Sequence, residues 1–284
     1  MSLVIKEVSK TYKDKKALQQ INWNIQSEKI YGLLGRNGAG KSTLLNIIAN
    51  RSFASNGTIT LNGLLLVDNE AALNQIYLMS EDNLYPGNLK VKKCFQLTAD
   101  FYGDFDWALA EEMIAGFGLE QKSSLRKLST GYRSIAKLIM ALCVPADYIF
   151  LDEPVLGLDA NHRDLFYHYL LTAYAKRPRT FVISTHLIEE VANLLEEVIV
   201  IDEGKVLREA TTEAIQAAGK VITGPKEVVA QVVSDLKVIG EDELGGMLSV
   251  YIEGAAPKDI PQGVSVAPLN LQAYFVQLTK KGVA

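Results

Sequence analysis

The chain has 284 residues, a formal net charge of −4, 48% hydrophobic and 22% charged residues, which suits a globular protein with one large domain, or a main domain plus a small one. The acidic balance argues against the clustered basic face of a nucleic-acid binder, so no nucleic-acid partner is expected. No window approaches the roughly 18 to 20 apolar residues of a membrane span, and the N-terminus lacks the apolar core and cleavage site of a secretory signal; the chain is therefore expected in the cytoplasm or on a membrane's cytoplasmic face.

From Leu3 to Tyr12 and from Leu18 to Ile25, apolar and polar residues alternate, as in Ile21, Trp23 and Ile25. The pattern predicts antiparallel strands leading into a buried strand from Ile30 to Leu34. From Tyr31 to Asn50 the chain reads as an apolar strand, a glycine-rich turn and a helix opening at Lys41. Gly35, Gly40, Lys41 and Ser42 complete the spacing G-x-x-x-x-G-K-[ST]. Glycines let successive N–H groups converge on phosphate oxygens with no Cβ in the way. The helix aims its N-terminal donors and partial positive charge at the same anion. Lys41 is placed to reach the β- and γ-phosphates of a nucleoside triphosphate, and the Ser42 hydroxyl to ligate Mg2+. A chance glycine turn is the alternative, but at average glycine usage these four fixed residues coincide in roughly one such chain in a hundred. Tyr12, shortly before this loop, carries a ring that stacks on adenine or is an ordinary strand aromatic.

The stretch GTITLNG from Gly57 reads as a short strand closed by an Asn-Gly turn, and Ile76 to Met79 as another apolar strand. A polar run, Ser80-Glu81-Asp82-Asn83, heads into Pro86-Gly87. From Val91 to Leu128 the period turns helical. Val91, Phe95, Leu97, Phe101 and Tyr102 suit one amphipathic helix; Trp107, Met113, Ile114 and Phe117 suit a second that ends at Gly118. With no strand signal between them, residues 85–145 predict a helical subdomain inserted in an α/β core. Cys94 and Cys143, in apolar helical contexts, are expected to pack as small hydrophobes. Leu128-Ser129-Thr130-Gly131-Tyr132 opens a helix that runs to about Cys143, with Ser129 as N-cap; alone, that pentapeptide is a helix cap more often than a ligand site.

Tyr148-Ile149-Phe150-Leu151-Asp152-Glu153-Pro154 predicts a parallel strand buried on both faces. Its two acids emerge at the C-terminal end, where ligands of open α/β sheets bind. In a phosphate-loop protein Asp152 is placed to hold Mg2+, and Glu153 to polarise the attacking water. A helix from about Asp159 to Lys176 follows. His162 and His168 lie six apart on it, roughly 600° of rotation, and are expected at the surface. His186 closes the strand from Thr180 to Ser184, level with the two acids. Glu197 to Asp202 and Gly204 to Ala210 predict a hairpin. Past about Lys220, glycines and prolines multiply among short apolar runs such as Val250-Tyr251-Ile252, as in a small α+β appendage. The expected division is 1–219 and 220–284.

Taken together these residues resemble the ATP-binding subunits of ABC transporters, in the right order over the first three-quarters of the chain. GRNGAGKST (Gly35, Arg36, Asn37, Gly38, Ala39, Gly40, Lys41, Ser42, Thr43) is similar to their phosphate loop, and LSTGY to their signature, usually LSGGQ. IFLDEP resembles the strand carrying the Mg2+ ligand and base, Gly157-Leu158-Asp159 the dimer-contact loop, and Ser184-Thr185-His186 the switch histidine. Tyr12 falls at the family's adenine-stacking aromatic. The resemblance implies a P-loop NTPase core with an antiparallel β subdomain. It also implies two copies sandwiching two ATP molecules, each held by one phosphate loop and the partner's Ser129 and Gly131. Glu153 would activate water and His186 sense the γ-phosphate. A membrane subunit on a separate chain would be driven by the dimer's opening and closing.

Two departures stand out. Thr130 and Tyr132 occupy positions where the family prefers Gly and Gln. Glu81 stands in place of the usual Gln; its carboxylate can accept from water or ligate Mg2+, but adds negative charge near the phosphates. The closing stretch from Leu271 to Thr279 resembles the last helix of exporter ATPases, which implies export. The competing reading is a soluble ABC ATPase acting on a macromolecular complex without transport; a non-hydrolysing regulatory module is a third, opposed by retention of Lys41, Asp152, Glu153 and His186.

Overall fold

A computed structural model of the chain describes residues 1–82, 84–257 and 259–280; Asn83 of the polar run and the last four residues of the appendage lie outside them. Strands β1 (Ser2–Tyr12) and β2 (Lys15–Gln26) pair antiparallel and lead into β3 (Ile30–Leu34). Helix α1 (Lys41–Ile48), β4 (Asn56–Leu61), β5 (Leu64–Leu65), the single turn α2 (Glu70–Leu73) and β6 (Ile76–Met79) follow. Three helices come next: α3 (Val91–Tyr102), α4 (Trp107–Phe117) and α5 (Thr130–Cys143). Then come β7 (Tyr148–Asp152), α6 (Ala160–Lys176), β8 (Thr180–Thr185), α7 (Ile188–Val191), β9 (Glu197–Asp202) and β10 (Lys205–Thr211). The remainder is α8 (Thr212–Ala218), β11 (Gly219–Pro225), α9 (Lys226–Val232), β12 (Val238–Leu244), β13 (Met247–Glu253), β14 (Ser265–Pro268) and α10 (Leu271–Thr279).

A six-stranded sheet, ordered β10-β9-β3-β8-β7-β6, forms the middle layer. It is parallel from β9 to β6, with β10 antiparallel at its edge. Because side chains alternate along a strand, β7 feeds two cores. Ile149 and Leu151 pack with the helical layer, against residues such as Phe95, Leu138 and Phe166. Tyr148 and Phe150 pack on the other face with α1 and the antiparallel sheet β2-β1-β4-β5, beside Trp23 and Leu44. This two-sided burial explains the uninterrupted apolar run; truncating Phe150, which is fully buried, to alanine costs about 3–5 kcal/mol.

In the helical layer, α3 buries Val91, Cys94, Phe95 and Thr98, an i, i+3, i+4, i+7 stripe. Leu97 and Phe101 fall outside that stripe and are exposed, Phe101 by 72%, which corrects the expectation that they share the buried face. Both cysteines are free and buried; burial pushes the Cys94 thiol up to about 11. The far end of α5 is closed by Arg179, only 5% exposed, whose guanidinium donates to Leu142 O at 2.8 Å and Val144 O at 2.5 Å. A cation there satisfies helix-end carbonyls and meets the negative end of the dipole; burial pulls its pKa down to about 10.

The C-terminal segment forms a third sheet, β12-β13-β11-β14, with its own small core around Ile222, Val229 and Val250. Its last helix returns to the main body: Leu271, Tyr274 and Phe275 of α10 join the large core with Ile188 and Val191 of α7. Arg208 on β10 bonds to Glu253 on β13, a further tie between the two parts, and Lys237, from the same part as Glu253, bonds to that carboxylate too.

Candidate functional site

The phosphate-loop spacing takes shape because the chain leaves β3 and must enter α1 within six residues. Two glycines make this possible. A Cβ on Gly35 would lie 2.5 Å from the Ile201 carbonyl oxygen, and Gly40, at φ +112°, would place one 2.7 Å from the Ala17 oxygen. The loop is pinned from beneath by Gly204 N donating to Ala39 O at 2.9 Å. A cleft of about 460 Å3 opens above it, lined by residues 36–38 and 40–43, by Tyr12, and by Glu81 and Glu153. Ala39 does not line it; its side chain is buried in the core below. Lys15 and Ala17 also line the cleft; neither carries a sequence signal, since they reach it only through the close approach of β2 to Gly40.

Lys41 is 6% exposed. Its ammonium donates to Gly35 O at 2.7 Å and Arg36 O at 3.4 Å, and lies 3.7 Å from Glu153 Oε1. Glu153 sits just past β7 with φ +46°, a left-handed backbone that costs a non-glycine residue about 1–2 kcal/mol. That conformation is held by its N–H donating to Ser184 O at 2.8 Å, and Glu153 Oε2 lies 2.9 Å from His186 Nδ1. Asp152, 5% exposed, accepts from the Ser184 hydroxyl at 2.8 Å. Asp152 and Ser184 are register partners in β7 and β8, so the parallel pairing brings both acids and the histidine together. Tyr12 is 47% exposed; the Lys10 ammonium sits 4.9 Å from its ring centroid and donates to Phe53 O.

Ser129, Gly131 and Asp159 line neither this cleft nor its neighbour. Ser129 caps α5, accepting from Tyr132 N at 3.2 Å. Gly131 lies against the loop before α6, where an added Cβ would be 2.7 Å from Gly157 O. Asp159 caps α6 through His162 N at 2.9 Å, and its other oxygen is 2.8 Å from His162 Nδ1. The backbone bond from His162, with the ring beside it, holds the Asp159 carboxyl below its ordinary value. His162 is therefore not a plain surface residue: its ring packs on Phe117 and Tyr132, at 5.8 and 5.9 Å, whereas His168 is exposed.

A second cavity of about 260 Å3 adjoins the cleft, with Glu81, Asp152 and Glu153 on one side and Thr130, Arg133 and Lys137 of α5 on the other. Lys137 carries no motif, yet its ammonium donates to Ser80 O at 3.0 Å and Glu81 O at 2.5 Å. Burial pulls its pKa below the ordinary lysine value, with the Asp82 and Glu81 carboxylates acting in the opposite direction.

This fold and site define a phosphate-loop α/β nucleotide-binding protein. A family described as ABC transporter matches residues 18–156. The chain is 30% identical to the Nod factor export ATP-binding protein I of Burkholderia lata over 217 residues, 74% of this chain and 71% of that one. It is 27% identical to the ABC transporter ATP-binding protein YtrB of Bacillus subtilis over 194 residues, 68% of this chain and 66% of the relative. Among solved structures, one described as an ATP-binding subunit of an ABC transporter superposes with a TM-score of 0.68 at 24% identity, covering 76% of this chain and 92% of that chain. A dimeric ATP-binding cassette bound to ADP and Pi gives 0.66 at 24%, covering 74% and 98%; at such identities the likeness establishes the fold. The chain belongs to the ATP-binding proteins of the ABC transporter family. It is an ATP-binding ATPase cassette, and among the described residues no helix is long and apolar enough to cross a membrane.

Proposed function

We propose that this chain powers an exporter through ATP-dependent dimerisation, on the cytoplasmic face of a membrane, with the membrane-spanning subunit on a separate polypeptide. The observation that carries the hydrolytic part of this reading is the Glu153 carboxylate, set between His186 at 2.9 Å and Lys41 at 3.7 Å beside the phosphate loop; export is proposed from the likeness to the Nod factor export ATP-binding protein I. In that reading the loop N–H groups and Lys41 hold the β- and γ-phosphates while the base stacks on Tyr12. Glu153 takes a proton from water as its oxygen attacks the γ-phosphorus, and the bond to the bridging oxygen breaks to leave ADP and phosphate. His186 orients the carboxylate and meets charge on the departing phosphoryl group.

Mg2+ fits the donors present. Ser42 hydroxyl, Asp152 carboxylate and Glu81 form an all-oxygen set, and among the described residues no three His, Cys, Asp or Glu side chains cage a metal alone. Mg2+ characteristically takes one or two protein oxygens and completes its shell with water and phosphate. When bound, it offsets phosphate charge. Ser129, Gly131 and Asp159 lie outside the cleft of their own chain, so a second copy would supply Ser129 and Gly131 to the γ-phosphate, with Asp159 in the dimer-contact loop. Residues 1–219 would form the ATPase and 220–284 an accessory unit.

Affinity co-purification from native membranes tests the proposal. Recovery of a polytopic membrane protein is the expected result; recovery of ribosomes or assembly factors instead would favour a soluble ATPase without transport.

A further inference from the structure

The segment that carries Glu81 is held by two cations from opposite sides. Arg51, beyond α1, donates to Leu78 O at 2.8 Å and to the Ser80 hydroxyl at 2.9 Å. Lys137, two turns into α5, donates to Ser80 O at 3.0 Å and Glu81 O at 2.5 Å. Among the described residues Lys137 makes no ion pair within 4.0 Å, so its contacts are to backbone carbonyls. Desolvating an ammonium is costly; Met140, Ala136 and Leu125 line the adjoining cavity beside the polar Ser80, Asp82 and Arg133, and an apolar side chain packed there would leave the Ser80 and Glu81 carbonyls without this donor. Packing alone therefore does not explain a lysine here.

Glu81, Asp152 and Glu153 share one cavity, and the cations facing them across it are Arg133 and Lys137 of α5. The carboxylate at position 81 adds negative charge beside a site for a triphosphate, and Lys137 sits against the peptide group of that same residue. We propose that Lys137 is a positioning residue that clamps the Glu81 segment to α5, aiming Glu81 at the cleft and making the segment and the start of α5 move as one body. The inference rests on the function proposed above.

The test uses the full chain with Lys137→Met, Lys137→Arg, Glu81→Ala and the Lys137→Met/Glu81→Ala double variant. Lys137→Met is expected to leave affinity for a fluorescent ATP analogue within about twofold, to lower kcat about tenfold, and to speed amide exchange across residues 80–82 in the nucleotide-free chain; the kcat loss corresponds to about 1.4 kcal/mol. Lys137→Arg, which keeps charge and donors, is expected to restore kcat to within about threefold. Adding Glu81→Ala to Lys137→Met is expected to cost nothing further, since the two would act as one unit. Unchanged exchange in Lys137→Met overturns the clamp whatever the nucleotide site does. Additive losses in the double variant, or an Lys137→Arg chain as impaired as Lys137→Met, overturn the positioning role. A wild-type chain that fails to bind the analogue refutes the proposed function instead, and the exchange measurement still decides the clamp.

Discussion

His186 Nδ1 lies 2.9 Å from Glu153 Oε2, joining the residues that follow neighbouring parallel strands β7 and β8. The contact forms although the two are 33 positions apart, because Glu153 N bonds to Ser184 O and turns its side chain back towards β8. His186→Ala removes this partner while leaving Lys41 and the loop in place. The expected result is a fall in kcat of about 10²-fold or more, the usual weight of one preorganised group that meets transition-state charge, with ATP affinity changed by less than about threefold. Steady-state kinetics with a nucleotide titration check it.

Lys41→Ala acts on binding instead. The ammonium is held over the loop by Gly35 O and Arg36 O, so it needs little reordering to meet phosphate. Hydrogen bonds to charged groups contribute about 1.5–3 kcal/mol, and affinity for ATP is expected to fall at least about tenfold by titration calorimetry. Unchanged affinity would count against the assigned loop.

Gly131→Ala separates the two halves of the site. The added Cβ would meet Gly157 O at 2.7 Å, and backbone on both sides must shift, at about 1–3 kcal/mol. Gly131 does not line the chain's own cleft, so ATP affinity of the single chain is expected to persist while ATPase activity is lost. Thermal denaturation, nucleotide titration and phosphate release together check this.

The ion-pair cluster at Glu253, made by Lys237 of the same part and Arg208 of the other, should report itself in pH. The Lys237 hydrogen bond, with Arg208 adding its charge, holds the Glu253 carboxyl below its ordinary value despite burial, which acts the other way. A carboxylate with a depressed folded pKa adds stability that is complete above its unfolded value, about 4.3, and is lost as pH falls through the folded value. Glu253→Gln is expected to lower stability by about 1–2 kcal/mol at pH 7 and to flatten the acid limb between about pH 5 and 3. Denaturant unfolding across that range checks it; parallel curves for the two chains would contradict it.

The α/β architecture was legible because its strands bury both faces: nothing else accounts for the run from Tyr148 to Leu151 ending in two acids. The phosphate loop was legible for a different reason, since each of its residue types is demanded by backbone geometry. Side-chain placement within helices was less so. Leu97 and Phe101 fit a helical period, but only the packed layer decides which arc of α3 is buried. Lys137 left no signal, because a lysine in a helix reads as solvated until the segment carrying Glu81 is folded against it. His162 lies part-exposed at the surface, but its ring contacts with Phe117 and Tyr132 leave no sequence signal, because those neighbours come from distant segments. The role proposed for Ser129 and Gly131 rests on family resemblance, as neither lines the cleft of its own chain.

Under the proposed function this cleft is one half of a site completed by a second copy. Light scattering on Glu153→Gln with and without Mg-ATP tests it most directly, because the substitution keeps size and hydrogen bonding but removes the base that ends the ATP-bound state. A mass that doubles on adding Mg-ATP and returns on removing it is the predicted result. A chain that binds ATP at saturation and remains monomeric would contradict it.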